Sequence, residues 1–341
     1  MKIVIAPDSF KECMSASAVA NAIAVALTKY SRELGLIRLP LADGGEGTLA
    51  VLSRALEASL VSTFVHDPLG RIVQAYFAKA GEIAVLEVAQ AVGLSLLQPH
   101  ERNPLIASSE GVGDLIMAAF HAGCRHLIIG LGGTATCDGG IGMLSVAGIK
   151  TVLKSCSIEL LCDVDAPLLG PHGAARAFAP QKGASEQAVD QLERQMQALA
   201  AKWHGVADVP GAGSAGGIAA AILAHSSARC LQGCSRIMEL CGFAEAIKGA
   251  DIVITGEGRS DFQTLMGKVP YAVLQHSAGV PVALLSGRIE DRSALEQAGF
   301  NPIIEVSPRH LSRKDALQPE TAEYYLETAV QTLLNTLPLT K

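Results

Sequence analysis

Apolar runs of strand length recur along this chain, and four of them end in glycine-rich stretches tipped with acids or hydroxyls. These read Ala42-Asp43-Gly44-Gly45-Glu46-Gly47-Thr48, Gly130-Leu131-Gly132-Gly133-Thr134-Ala135-Thr136-Cys137-Asp138-Gly139-Gly140, Pro210-Gly211-Ala212-Gly213-Ser214-Ala215-Gly216-Gly217 and Thr255-Gly256-Glu257-Gly258-Arg259-Ser260-Asp261. Glycine lets backbone N–H groups approach a ligand closely and takes positive φ without steric cost. A run of such groups ahead of a helix makes an anion site. With Asp and Glu added, which suit Mg²⁺ and its waters, the chemistry best served is phosphoryl transfer from a nucleotide.

The strand signals alternate with helices. Lys2–Ala6 is a short β-branched run stopped by Pro7, and Ser15 is placed to cap a helix reaching about Tyr30. Leu36–Ala42 reads as a second strand and Thr48–Leu56 as a helix. That alternation predicts a parallel α/β sheet, with Asp8, Ser9, Lys11 and 43–48 at the carboxyl ends of its strands, where ligands bind. After residue 60 the pattern becomes a meander: Val61–Val65, Ile72–Ala78 and Ile83–Val88, separated by turn sequences at Asp67-Pro68-Leu69-Gly70 and Ala80-Gly81. A helix over Ser108–Ala122, a strand over His126–Leu131 and a helix over Glu186–Trp203 follow. Parallel patterning returns at Asp251–Thr255, Val280–Leu285 and Pro302–Val306, with a last helix near Ala322–Leu337.

At 341 residues two domains are expected. The fold class is α/β: a discontinuous Rossmann-like parallel-sheet domain, 1–60 with 240–341, and an inserted mixed-sheet α/β domain, 61–239, with the active site in the cleft between them. Apolar residues make up 49% of the chain but aromatics only 4%, so small aliphatic side chains do the packing, as suits helices laid on parallel sheets. A net charge of −6 without a basic run argues against a nucleic-acid partner. No stretch reaches the ~18 uninterrupted apolar residues of a membrane span, and the start of the chain lacks a signal-peptide pattern, so a cytoplasmic location is expected. The eight cysteines include no CxxC pair and read as reduced thiols; the nine histidines include no HExxH motif.

Taken in order, seven blocks resemble a bacterial-type glycerate kinase, a class not built on a P-loop. They are Ile5-Ala6-Pro7-Asp8-Ser9-Phe10-Lys11, the 41–48 block, the 132–140 block, Cys162-Asp163-Val164-Asp165-Ala166-Pro167-Leu168, Pro180-Gln181-Lys182-Gly183-Ala184, the 210–217 run, and Val253-Ile254-Thr255-Gly256-Glu257-Gly258-Arg259 with Asp261, Gln263, Gly267 and Lys268. The resemblance implies phosphorylation of D-glycerate by ATP with Mg²⁺, most often at the 2-hydroxyl. It implies catalytic parts for Asp43, Glu46, Lys11, Asp261 and Lys268, and substrate contacts from Asp8, Ser9, Lys182, Arg259 and Gln263. Nucleotide contacts fall to Gly132, Gly133, Thr134, Gly213 and Ser214, and metal contacts to Asp138, Asp163 and Glu257. A homo-oligomer is left open. The chain departs from the pattern at Cys137, where Asn is usual, and at Ser260, where an apolar residue is usual. It departs most between 150 and 159, where only Thr151–Ile158 stands in place of a further few dozen residues.

Simpler roles compete at several positions. Lys11 and Lys268 balance anions or are solvated cations; a Walker A reading of Lys268 fails because Phe262 and Val269 stand where Gly and Ser or Thr are required. Asp43 and Glu46 hold a metal or accept a hydroxyl proton, or else cap a helix. Gly132 to Thr134 cradle phosphate or form a tight turn. Asp163 and Asp165, alternating on an extended segment, point to opposite faces and so are not expected to share one ion.

Overall fold

The computed structural model describes residues 1–30, 33–163 and 165–336. It separates into two compact units, Met1–Asp43 with the chain from Cys234 onward, and Gly44–Gly233. Residues 44–60, expected with the N-terminal domain, therefore pack in the second unit.

In the first unit five parallel strands lie in the order Ile303–Glu305, Val282–Ser286, Ile252–Thr255, Lys2–Ile5 and Gly35–Arg38. The central strands are nearly continuous Val, Ile and Leu because both faces are covered. Pairing Ile3 with Ile252 and Ile5 with Ile254 makes this unit discontinuous in sequence. Helix Ala16–Tyr30 starts where Ser15 Oγ accepts from the Ala18 N–H (3.2 Å). Its Val19, Ile23 and Leu27, at four-residue spacing, share a core with Leu326, Val330 and Leu333 of helix Pro319–Thr336. From Lys2–Ile5 the chain adds a strand on one side, and from Ile252–Thr255 on the other. The order thus reverses between these two strands, and such a reversal opens a crevice at their carboxyl ends.

The second unit carries a six-stranded mixed sheet. Ser59–His66, Ile72–Ala80 and Ile83–Glu87 form an antiparallel meander, and His126–Gly130, Ser157–Leu161 and Arg229–Leu231 continue it in parallel. Alternation in the meander turns Val65, Ala75 and Phe77 to the core, while Leu60, Phe64 and Ile72 face outward. Helix Glu110–His121 contributes Val112, Leu115, Ile116 and Ala119 to the same core.

Several boundaries differ from those the sequence suggests. The second strand ends at Arg38 instead of Ala42, although the Leu39 and Leu41 N–H groups still donate to the Ile5 and Pro7 carbonyls. Helix Glu186–Ala200 is shorter than the expected Glu186–Trp203. The strand before Cys162 ends at Leu161, short of Asp163. Leu337, expected to end the last helix, and Val164 of the 162–168 block lie outside the described residues. At the shortened segment helix Ile149–Ser155 meets strand Ser157–Leu161 with Cys156 alone between them.

Burial along helix Ala16–Tyr30 sets a contrast. Leu27→Ala, fully buried, should cost about 2–5 kcal/mol. Val25→Ala, at a position 57% exposed, should stay within about 0.5 kcal/mol. Denaturant midpoints of both variants check this.

Candidate active site

In the first unit the crevice between the two central strands is closed by backbone pairing. The Ala6 N–H donates to the Ile254 carbonyl (2.7 Å), the Asp8 N–H to the Gly256 carbonyl (2.9 Å), and the Thr255 hydroxyl to the Ala6 carbonyl (2.8 Å). Gly256 is required by close approach, since a Cβ there would sit 1.7 Å from the Leu285 carbonyl oxygen of the neighbouring strand. Asp8 and Glu257 are thereby set at the carboxyl ends of adjacent strands.

Asp8 is 4% exposed, and its Oδ1 accepts from the Ser9 N–H (2.6 Å). Burial first, and then repulsion from Asp43, push its carboxyl up to about 7; the Ser9 amide and Lys11 oppose this, and Glu257 adds to it. Lys11 Nζ lies 3.7 Å from Asp43, with the lysine side chain 67% exposed and the aspartate 23%. Two acids and a cation thus meet on one rim, and one acid is poised near neutrality.

Glu257 sits in a buried network. Its carboxylate accepts from Thr264 Oγ1 (2.6 Å) and Ser260 Oγ (3.1 Å), Ser260 Oγ lies 2.8 Å from Ser286 Oγ, and Lys268 Nζ is 3.6 Å from the carboxylate. Burial raises the Glu257 carboxyl, against the pull of Lys268 and the two hydroxyls. Lys268 is therefore the counter-ion of Glu257. Asp261 caps the short turn Phe262–Met266, accepting from the Gln263 N–H (2.9 Å). Arg259 is held by Glu290 (2.6 Å) and Asp261 (3.4 Å). In this arrangement Asp261 and Arg259 hold the loop together, and Gln263 is exposed beside them.

The unit boundary falls between Asp43 and Gly44, so Asp43 and Glu46, read as one acid loop, belong to different units. In the second unit Gly47, not an acid, is the N-cap of helix Thr48–Ala55. The helix start is instead met by Glu87, whose carboxylate accepts from the Leu49 N–H (2.6 Å). Burial raises the Glu87 carboxyl, with Glu46 adding repulsion. Sequence reading missed Glu87; its signal was a lone acid closing the apolar run Ile83–Val88.

Lys182 is a buried cation of this unit, 4% exposed, and burial lowers its ammonium to about 8. It donates to Thr134 Oγ1 (3.0 Å) and the Thr136 carbonyl (2.7 Å), so one of its three N–H groups has no partner among the described residues. Thr136 Oγ1, fully buried, also has none. The buried Ser214 hydroxyl likewise has no partner among the described residues. Two of the glycine amides expected to face a phosphate are already paired within the fold. Gly132 donates its N–H to the Gly44 carbonyl (3.3 Å) and Gly213 to the Ala166 carbonyl (2.9 Å). Gly133, exposed and at φ +75°, turns the chain beside Thr134.

The three acids expected for a metal are divided between the two units. Asp138 accepts from Ser109 N–H (2.9 Å) and Oγ (2.7 Å), Gly140 N–H (3.0 Å) and Gly142 N–H (3.0 Å), which makes it the anchor of its own loop. Asp138 and Asp163 belong to the second unit and Glu257 to the first. Among the described residues no three His, Cys, Asp or Glu side chains group to hold a metal ion. No helix among those residues is long and apolar enough to cross a membrane.

Comparison with known proteins gives a consistent picture. A sequence profile of the Glycerate kinase family matches residues 3–153 and 145–338. The chain is 38% identical to the glycerate kinase of Bacillus subtilis over 367 aligned positions, covering 96% of each chain, and 37% identical to the glycerate 2-kinase of Escherichia coli, covering 90% of each. A crystal structure of a chain designated glycerate kinase 2 from Salmonella typhimurium LT2 superposes with a TM-score of 0.81 at 35% identity, covering 98% of both. The alignment with the Bacillus protein is longer than this chain, so that relative carries residues missing here. The family match comes in two segments that overlap over 145–153, ending within helix Ile149–Ser155, just ahead of its joint with strand Ser157–Leu161.

Asp8 makes folding stability depend on pH. Its carboxyl rises from an ordinary 3.8 to about 7 in the folded protein, so across that window the folded state keeps a proton that the unfolded chain has released. Stability from this group is therefore complete at low pH and lost as pH climbs through about 7. Asp8→Asn, which keeps an acceptor for the Ser9 amide, should gain more over wild type in unfolding midpoint at pH 8 than at pH 5. An equal gain at both pH values would show that Asp8 titrates as an ordinary carboxylate.

Proposed function

This chain belongs to the glycerate kinase family and is a kinase, and we propose that it transfers the terminal phosphoryl group of ATP to the 2-hydroxyl of D-glycerate. The observation that carries this reading is Asp8, a buried carboxylate at a strand-order reversal, with Asp43 and Lys11 on the same rim. A base poised near neutrality accepts the proton of an attacking hydroxyl as the new O–P bond forms. Lys11 offers an exposed cation for the glycerate carboxylate or the transferring phosphoryl group. Asp43 holds that cation in place and, by repulsion, keeps Asp8 a competent base.

ATP supplies the phosphoryl group. The second unit fits its phosphates through the unpaired N–H of Lys182 and the orphaned hydroxyl of Thr136, with Thr134 and Ser214 alongside. Mg²⁺ is expected to accompany the ATP, and no step is assigned to it. A second reading, a relative that binds glycerate or nucleotide without turnover, is favoured by one observation: the family match comes in two segments that overlap over 145–153. A kinase for another small hydroxy acid is the alternative within enzymes.

Calorimetric titration with MgATP beside a coupled ADP-release assay separates these readings. ADP release that depends on D-glycerate, with 2-phosphoglycerate identified by phosphorus NMR, supports the proposal. Nucleotide binding without release supports the binder, and 3-phosphoglycerate as product overturns the choice of hydroxyl. Full activity is expected to need both rim acids: Asp8→Asn and Asp43→Asn should each lose about 10²–10⁴ in turnover. Wild-type kcat/KM should rise with pH and level off above about 7, as Asp8 deprotonates. A profile without that rise removes Asp8 as the base.

A further inference from the structure

Cys162 and Cys230 are two thiols for which the proposed reaction has no use. Cys162 follows strand Ser157–Leu161, and its N–H donates to the Leu231 carbonyl (3.1 Å) of strand Arg229–Leu231. Leu160 pairs with Cys230, so the cysteines come from neighbouring strands two positions apart. Their sulfurs converge under the glycine-rich 210–217 loop. A Cβ at Gly211 would lie 2.7 Å from Cys162 Sγ and 3.4 Å from Cys230 Sγ. Both are free and partly exposed, unlike the buried Cys124, Cys137, Cys156 and Cys234. Strand Arg229–Leu231 is three residues long and forms the edge of its sheet, so the backbone shift needed for bridging geometry disturbs few ladder bonds.

We propose that Cys162 and Cys230 form a site of reversible disulfide modification, closed by a hydroperoxide and reopened by thiols. With hydrogen peroxide the balance is complete. The Cys230 sulfur attacks one peroxide oxygen, an S–O bond forms, the O–O bond breaks, and the leaving hydroxide takes the thiol proton as water. The Cys162 sulfur then attacks the sulfenic sulfur; the S–S bond forms, the S–O bond breaks, and a second water leaves. Two thiols have given up two electrons and two protons. The bridge pulls Cys162 away from the underside of Gly211, so it bears on the 211–214 loop.

Peptide mapping without reduction, on the whole protein treated with hydrogen peroxide, tests this. Tryptic peptide 155–176 carries Cys156 and Cys162, and 230–236 carries Cys230 and Cys234, so variants are needed to assign the link. The expected result is a linked pair of these peptides that dithiothreitol separates, that Cys230→Ser and Cys162→Ser each abolish, and that Cys156→Ser and Cys234→Ser retain. A link that survives Cys230→Ser, or oxidation with no link between the two peptides, overturns the proposal. Unfolding midpoints of the serine variants in reductant establish that each is folded. The effect on turnover rests on the loop assignment under Proposed function. Bridged protein with unchanged D-glycerate-dependent ADP release would overturn that assignment, while the mapping alone decides the bridge.

Discussion

The pairing of strand Lys2–Ile5 with Ile252–Thr255 is the contact on which the first unit depends. It joins segments nearly 250 residues apart and places them side by side at the centre of a parallel sheet. Loop-closure entropy grows only slowly with length, so so distant a pairing costs little more than a nearer one. The intervening chain also carries its own sheet and core. Once these strands pair, Asp8 and Glu257 follow at adjacent strand ends, and the Asp8–Gly256 hydrogen bond ties the two loops together.

Buried charge is what the two units have in common. Asp8, Glu257, Glu87 and Lys182 are all buried, where an isolated charge is costly. Each is compensated differently. Glu257 has two hydroxyls and the Lys268 ammonium; Glu87 has the start of a helix; Lys182 has a hydroxyl and a carbonyl. At Asp8 burial, and then two facing acids, outweigh the Ser9 amide and Lys11, which is why its carboxyl stays protonated up to about 7. The least compensated groups are the ones with chemistry left to do, because an unmet donor or base in a low-dielectric setting gains most from a ligand. By the same standard Asp138, with four donors around it, is a structural anchor.

The glycine-rich stretches divide along similar lines. Gly256 and Gly132 let two backbones touch: Cβ atoms there would strike the Leu285 carbonyl oxygen and, at 2.4 Å, Gly45 Cα. Close backbone approach and phosphate cradling demand the same residue, so composition could not separate them. The helix-to-strand joint at Cys156 shows that the shortened segment is accommodated by direct connection, with Ile149, Val152, Leu153 and Ile158 still in the core.

The sequence by itself determined the strand–loop–helix alternation, the discontinuous parallel sheet, the mixed second sheet and the family, because each is written in short-range pattern: β-branched runs, Pro and Gly stops, and ordered motif blocks. It also put Asp8, Lys11 and Asp43 in one candidate set. Tertiary structure alone decided what those residues do. Burial and distance are properties of neighbours far along the chain, so nothing local marked Asp8 as the more buried acid beside Asp43, or Glu87 as the partner of the Thr48–Ala55 helix start. Neither could local sequence show that Asp261 caps a turn, that Asp138 is filled by four donors, or that Cys162 and Cys230 meet. Hydrogen bonding and desolvation act through space, and only the folded chain assigns them.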